Sequence, residues 1–287
     1  VLKNSRLKTS FDYYKKVNHD LIMVRDIPIY YGGGSMFYNI GEIETKGIEF
    51  TFEAIPVLSN NYSWYTRLNL TSFNQVVNQL SKDGVVNAIN TTDNLWPSFI
   101  INEGNGIGDI YGLKYLGIWT EEDENKTGIS YLEERGGKYL NADSTDRLIN
   151  DKDLTKIGNS MPDLMLNWYN SLSWKNITLE MLWSAVFGVE KYNATKASTY
   201  MAGTNYGLNS LIDNNFEGFY SPTLNNPSYI NFQATRYGHF YKSSYFIEDA
   251  SFIRLKQLIV SYQPDTKIYD RIGWKISLIF QNLIRIF

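Results

Sequence analysis

The chain has 287 residues, 43% of them apolar, and a formal net charge of −3. No stretch approaches the roughly 18 consecutive apolar residues of a membrane-crossing helix, and a slightly acidic chain carries no electrostatic footprint for nucleic acid. It has no cysteine, which excludes a disulfide framework and any thiolate metal site.

In chain order, Leu7, Thr9, Phe11 and Tyr13 alternate with Lys8, Ser10, Asp12 and Tyr14, the period of a strand. A polar turn at Val17-Asn18-His19 then leads to Leu21-Ile22-Met23-Val24, read as a second strand. Ile48, Phe50, Phe52 and Ala54 alternate with Glu49, Thr51 and Glu53. After Pro56 and Asn60-Asn61, Trp64, Thr66, Leu68 and Leu70 alternate with Tyr65, Arg67, Asn69 and Thr71. Residues 164–187 predict a hairpin about a two-residue turn, Lys175-Asn176. In that register Trp174 meets Ile177, Leu172 meets Leu179, Asn170 meets Met181, Trp168 meets Trp183 and Leu166 meets Ala185. Ser173, Ser171, Tyr169 and Asn167 fall on the other face, against Thr178, Glu180, Leu182 and Ser184. The remaining strands are Ser251–Tyr262 and the alternating run from Trp274 to Gln281.

These make about eight long strands whose connections alternate between short (16–19, 56–61, 175–176, 263–271) and long (28–44, 78–160, 189–247). A sandwich has no reason to collect its long loops at one end, whereas an outer-membrane barrel keeps tight turns on one side and long loops on the other. Each candidate supplies the 9–11 residues that a tilted membrane-crossing strand needs. The aromatic excess, 22 Tyr, 15 Phe and 7 Trp, fits strands and interfacial girdles alike. The fold class expected is therefore all-β: an antiparallel transmembrane β-barrel segment, with the Trp168, Leu172, Leu179, Met181 and Trp183 face toward lipid and the Ser184 face toward a wet lumen. Arginine at Met181 should then be costly, and at Ser184 tolerated. The alternative is a secreted soluble all-β adhesin or carbohydrate-binding protein whose apolar faces form a core.

Catalytic chemistry is thinly represented. His19 and His239 lie far apart, no nucleophile elbow occurs, and Gly104-Asn105-Gly106-Ile107-Gly108 lacks the third glycine at the required place and the following helix of a dinucleotide loop. Gly32-Gly33-Gly34 reads as a loop tip. Residues 142–153 occupy the frame of a calcium loop ending at Asp153, with Asp146 as a further ligand. However, Ala142 replaces the first carboxylate and Arg147 the turn glycine, so no calcium site is expected. No enzyme, cofactor or metal is implied. The long 189–247 segment presents Tyr206, Phe219, Tyr220 and Tyr229 among Asn and Gly, and these are the candidate contacts to a partner or cargo. The chain begins at Val1 with no leader and ends within a strand-like run, so residues 1–287 read as one domain truncated at both ends.

Several segments together resemble the C-terminal barrel of the SusC/RagA family of TonB-dependent outer-membrane transporters. They are Asn39-Ile40-Gly41-Glu42 with Lys46-Gly47-Ile48-Glu49, Ile157-Gly158-Asn159 with Met161-Pro162-Asp163, the degraded aspartate loop, and the hairpin. Glu248-Asp249-Ala250-Ser251-Phe252-Ile253-Arg254-Leu255-Lys256 and Gln281-Asn282-Leu283 complete the order. The resemblance implies energy-coupled import of glycans or peptides across a Gram-negative outer membrane. A SusD-like surface lipoprotein would be the partner, with the TonB complex engaged through N-terminal parts that this chain does not contain. A siderophore-type transporter of the wider TonB-dependent group would share the fold and differ in substrate.

Overall fold

The computed structural model describes residues 6–27, 29–39, 41–80, 97–99, 103–118, 123, 137–142, 149–200, 242–263 and 278–282. In chain order the strands are β1 (Leu7–Asn18), β2 (Ile22–Asp26), β3 (Ser35–Asn39), β4 (Glu42–Leu58), β5 (Tyr62–Gln79), β6 (Ser98–Phe99), β7 (Asp109–Gly112) and β8 (Tyr115–Ile118). They continue with β9 (Gly137–Tyr139), β10 (Thr155–Asn159), β11 (Leu164–Trp174), β12 (Ile177–Phe187), β13 (Glu190–Tyr192), β14 (Ile247–Asp249), β15 (Phe252–Tyr262) and β16 (Leu278–Asn282). A short helix, α1 (Ala194–Tyr200), follows β13.

Seven of these form one antiparallel meander in the order β1-β4-β5-β11-β12-β15-β16, an open sheet with β1 and β16 at its edges. The expected partial barrel is what these residues build. The β11–β12 hairpin adopts the register read from alternation, from Trp174 opposite Ile177 to Leu166 opposite Ala185. Lys175 supplies the positive φ, 51°, that lets a two-residue turn follow the twist of its strands.

One placement differs. Leu21–Val24 does not start a wall strand. β1 runs on to Asn18, which pairs with Ile43, and the next wall strand is β4. The residues after Leu21 instead form a side hairpin, β2 with β3, whose tip holds Gly32–Gly34. The reason is length and complementarity. The five residues of β2 are too short to cross a bilayer. β4 sets Ile48, Phe50, Phe52 and Ala54 opposite Tyr13, Phe11, Thr9 and Leu7, apolar against apolar on one face. The sheet thus holds seven strands among the described residues, and its first long excursion is residues 19–41. The asymmetry of the connections survives the change. Tight turns join β4 to β5 and β11 to β12 at one end, while residues 19–41, 80–163 and 188–251 all leave from the other.

The conventional core lies at that second end, off the wall. Val77, Leu80, Ile110, Leu113, Tyr139, Val189, Ala197 and Phe246 are buried there. β10-β7-β6, β8-β9 and β13-β14 form small sheets over the rim. Leu113 ties two excursions together, its N–H donating to the Lys242 carbonyl (2.9 Å) and its carbonyl accepting from the Ser244 N–H (2.9 Å).

Candidate functional site

The wall has two unlike faces. On one lie Leu7, Thr9, Phe11 and Tyr13; Ile48, Phe50, Phe52 and Ala54; Tyr62, Trp64, Thr66, Leu68 and Leu70; and the apolar hairpin positions. Ile253, Leu255, Leu258, Val260 and Tyr262 of β15 complete it. No Asp, Glu, Lys or Arg holds a paired position on this face between Tyr62 and Ile48. Many of its large side chains are open: Phe11 is 65% exposed, Ile253 66% and Trp168 42%, while Ala185 and Leu255 are packed down among their neighbours. A soluble sandwich would cover this face with a second sheet, and among the described residues nothing does. From Tyr62 to Ser72 is about 33 Å of strand, which at a tilt of 35–45° spans roughly 23–27 Å, the height of an outer-membrane apolar band.

Both borders of the band have interfacial chemistry. At the tight-turn end Tyr62 stacks on Trp174 (centroids 6.3 Å, 12° between planes), and the Lys175 ammonium lies 5.6 Å from the Trp174 ring centre. At the loop end, just beyond Tyr13 and Ile48, charges return. Glu44 bonds Lys15 (2.6 Å) and Lys46, and His19 meets Glu42 at 2.8 Å.

Two polar residues in the middle of the apolar face, Thr66 and Asn170, each have a reason. Thr66 accepts the Trp168 indole N–H at 2.9 Å, and the Asn170 side-chain oxygen accepts that of Trp64 at 3.1 Å. An indole N–H facing hydrocarbon would lose its hydrogen bond, so both rings are pinned against the wall by an acceptor beneath them. Asn170, 3% exposed, is sealed in doing so, and its amide nitrogen is left without a partner.

The opposite face is polar. Glu53 lies between Lys8 (3.8 Å) and Arg67 (3.5 Å), the Thr51 hydroxyl donates to Asn69 (3.1 Å), and the Ser173 and Thr178 hydroxyls are 3.1 Å apart. One position departs from the simple reading of this face. Ser184 is only 5% exposed and sits opposite Arg254, so it is not the roomy position expected of the lumen side.

Three of the segments that carried the family resemblance, residues 39–49, 157–163 and 248–256, are rim staples, where strands leave the wall and excursions begin. Gly41, at φ 113°, lets its backbone run against the Gln79 carbonyl, where any Cβ would collide. Gly47 leaves room for the Tyr14 ring, which lies on its backbone. The Asn159 N–H donates to Glu190 (2.9 Å), and the Met161 N–H donates to the Asn159 side chain (2.9 Å). Asp163 donates its N–H to the Phe187 carbonyl (3.0 Å). The Ser251 hydroxyl accepts from the Gly188 N–H (3.1 Å), while the Ser251 N–H donates to Asp249 (2.8 Å). Bonds from Ser251 hold the Asp249 carboxyl below its ordinary range. Glu248 accepts from the Asn193 amide (2.8 Å) and pairs with Lys196 (3.2 Å), and these two bonds, the amide first, hold its carboxyl low.

Asp153 lies at the end of the 142–153 segment. It is fully buried, and its carboxylate accepts the backbone N–H groups of Ala142 (2.7 Å) and Asn150 (2.9 Å), closing the base of the loop directly. Asp146 and Arg147 lie outside the described residues, as do His239 and the four aromatic candidates Tyr206, Phe219, Tyr220 and Tyr229. Gly104–Gly106 run beside β5, the Gly104 N–H donating to the Val77 carbonyl (2.8 Å) and the Val77 N–H to that of Asn105 (3.1 Å), a backbone extension of the wall rather than a phosphate cradle.

The sequence reading missed an aromatic cluster above the rim. Tyr115 packs edge-on against Tyr139 and Tyr245, Phe246 against Tyr245 and Tyr192, and Lys196 lies 4.9 Å from the Tyr245 ring centre. Burial pushes the Tyr115 hydroxyl well above the usual tyrosine range. Its members come from four separate segments, and no local pattern marks them.

No family model matches the chain. It is 27% identical to TonB-dependent receptor P3 of Formosa agariphila over 99% of its own length, and 22% identical to TonB-dependent receptor SusC of Bacteroides thetaiotaomicron over 97%. It spans only 28% and 27% of those two proteins. Among solved structures, the RagAB peptide importer in its closed-closed state superposes with a TM-score of 0.71 at 19% identity, covering 99% of this chain and 30% of that one. The resemblance read from the motifs is thereby borne out: the chain's homologues are SusC-like TonB-dependent receptors, and its fold is that of the RagAB barrel wall.

Proposed function

We propose that this chain is the C-terminal wall segment of a SusC-like importer in a Gram-negative outer membrane. Its activity is energy-coupled uptake of large nutrients, glycans or peptides, and not catalysis. The observation that carries the reading is the two-faced sheet. A band some 25 Å tall lies uncovered on one side among the described residues, a charged and hydroxyl-rich surface lies on the other, and the three long excursions, 19–41, 80–163 and 188–251, gather at one end.

In this reading the apolar face meets lipid, and the Glu53, Lys8 and Arg67 network wets the lumen. The rim staples anchor excursions that meet cargo and a SusD-like surface lipoprotein. Tyr206, Phe219, Tyr220 and Tyr229 offer aromatic anchors for stacking on sugar or packing on protein. Cargo held between lipoprotein and loops is released inward when the TonB complex acts on parts of the transporter beyond this chain.

Because the chain has no cysteine, facing can be tested with single-cysteine variants. In the assembled full-length protein, Leu172→Cys should react with a membrane-soluble maleimide and resist a charged one, and Ser171→Cys should do the reverse. Equal labelling of both by the charged reagent overturns the membrane reading. Deleting residues 210–230 should leave the barrel assembled but weaken lipoprotein co-purification or growth on the cargo. Survival of both means that the segment is only a cover.

A further inference from the structure

The apolar face carries a concavity that annular contact with lipid does not require. β4 has a bulge between Ala54 and Val57, where Ile55 and Pro56 are set against one residue of β5. A bulge bends its strand and steepens the local twist. Beside it, Val57, Tyr62, Trp64, Leu172, Trp174, Ile177 and Leu179 line a groove of about 530 Å³, within the roughly 300–1,000 Å³ of ligand-sized sites. Ser63 and Ser173 are the other residues in its lining, which is predominantly apolar and aromatic. Two of its walls are fixed in place: Trp64 is pinned by Asn170, and Trp174 is stacked on Tyr62.

The rim of this groove carries a cation. Lys175 occupies the tight turn, its backbone N–H held by the Asn61 carbonyl at 2.9 Å and its ammonium over Trp174. It has no carboxylate partner among the described residues. The groove therefore combines an apolar trough with one positive charge where the trough reaches the border of the band, the arrangement that an anionic headgroup on an acyl chain matches.

We propose that this groove is a binding site for one glycerophospholipid of the leaflet at the tight-turn side, with an acyl chain between Trp64 and Leu179 and the phosphate on Lys175. The site rests on the membrane reading above, and the experiment separates the two. The full-length protein is extracted in maltoside detergent, washed free of loosely held lipid, and analysed by native mass spectrometry together with its heat-modifiable mobility.

The wild type is expected to retain one phospholipid. Leu179→Trp, which fills the trough and remains apolar, and Lys175→Glu, which removes one charge-assisted contact, should each lower retention about tenfold. Lys114→Glu, the same charge change at the loop end, should leave retention unchanged. Equal retention by wild type and both groove variants, or a heat-modifiable wild type with detergent alone in the groove, overturns the site. A protein that fails to partition with membrane at all removes the functional reading, and this one with it.

Discussion

Replacing Met181 with arginine tests the facing of the wall most directly. Met181 lies between Asn170 on β11 and Leu258 on β15, on the uncovered apolar face. It is four residues above Ile177, which borders the tight turn, and therefore about 9 Å into a band some 25 Å tall. An arginine on the lipid side costs about 2–4 kcal/mol at the midplane, so at this depth somewhat less, about 1.5–3 kcal/mol, a roughly 10- to 150-fold shift in the folding equilibrium. The matched control is Ser171→Arg, on the other face, where the new guanidinium meets Glu180 across the ladder; its effect should stay within about 1 kcal/mol. Ser184 would be the poorer control, because it is buried against Arg254 and an arginine there pairs like charges in a crowded place. The assay is chemical denaturation of the full-length protein folded into phospholipid vesicles, followed by tryptophan fluorescence and by heat-modifiable mobility. Equal losses for the two arginines, or a larger loss for Ser171→Arg, refute the assignment of faces.

Gly47→Val should cost about 1–3 kcal/mol in the same assay by overpacking against Tyr14, and Tyr14→Ala in the same chain should recover most of it. Asp153→Ala removes the acceptor of two backbone N–H groups and should open residues 141–150 to protease at a cost of about 1–3 kcal/mol. Calcium up to millimolar should protect neither protein, and calorimetry showing tighter binding that Asp153→Ala abolishes would refute the account of this loop. Glu248 is the pH-sensitive staple. Its folded carboxyl is held below the unfolded value, so its contribution is complete above the ordinary glutamate range and is lost as the pH falls below it. Hydrogen-exchange protection at residues 193–197, measured relative to the intrinsic rate at each pH, should therefore fall in acid, and Glu248→Gln should show the lower protection already at neutral pH; no difference between the two proteins at neutral pH counts against the staple.

Side-chain alternation is a local property, and whatever rests on it was determined by the sequence alone. The Lys175-Asn176 turn and the period-two pattern around it set the hairpin register, because a slip of one residue would turn Trp168, Leu172 and Trp183 to the wrong face. The same pattern separated the apolar face from the polar one, and the spacing of strands placed the long connections at one end. The tertiary structure decided what depends on partners distant in the chain. Leu21–Val24 carries a strand pattern, yet β4 outcompetes it for β1 because only β4 is long enough and complementary along the whole ladder. Asn170 looks misplaced in an apolar face until Trp64, 106 residues away, is seen to need its oxygen. Asp153 ends a degraded calcium-loop frame in the sequence, which leaves its role open, and only the fold shows it serving the backbone at Ala142 and Asn150. The aromatic cluster at Tyr115 and Tyr245 assembles from excursions whose joining depends on the wall that holds their ends. Register and facing are written residue by residue, whereas partner choice weighs burial against the entropy of closing long loops, and that balance is struck only in the folded chain.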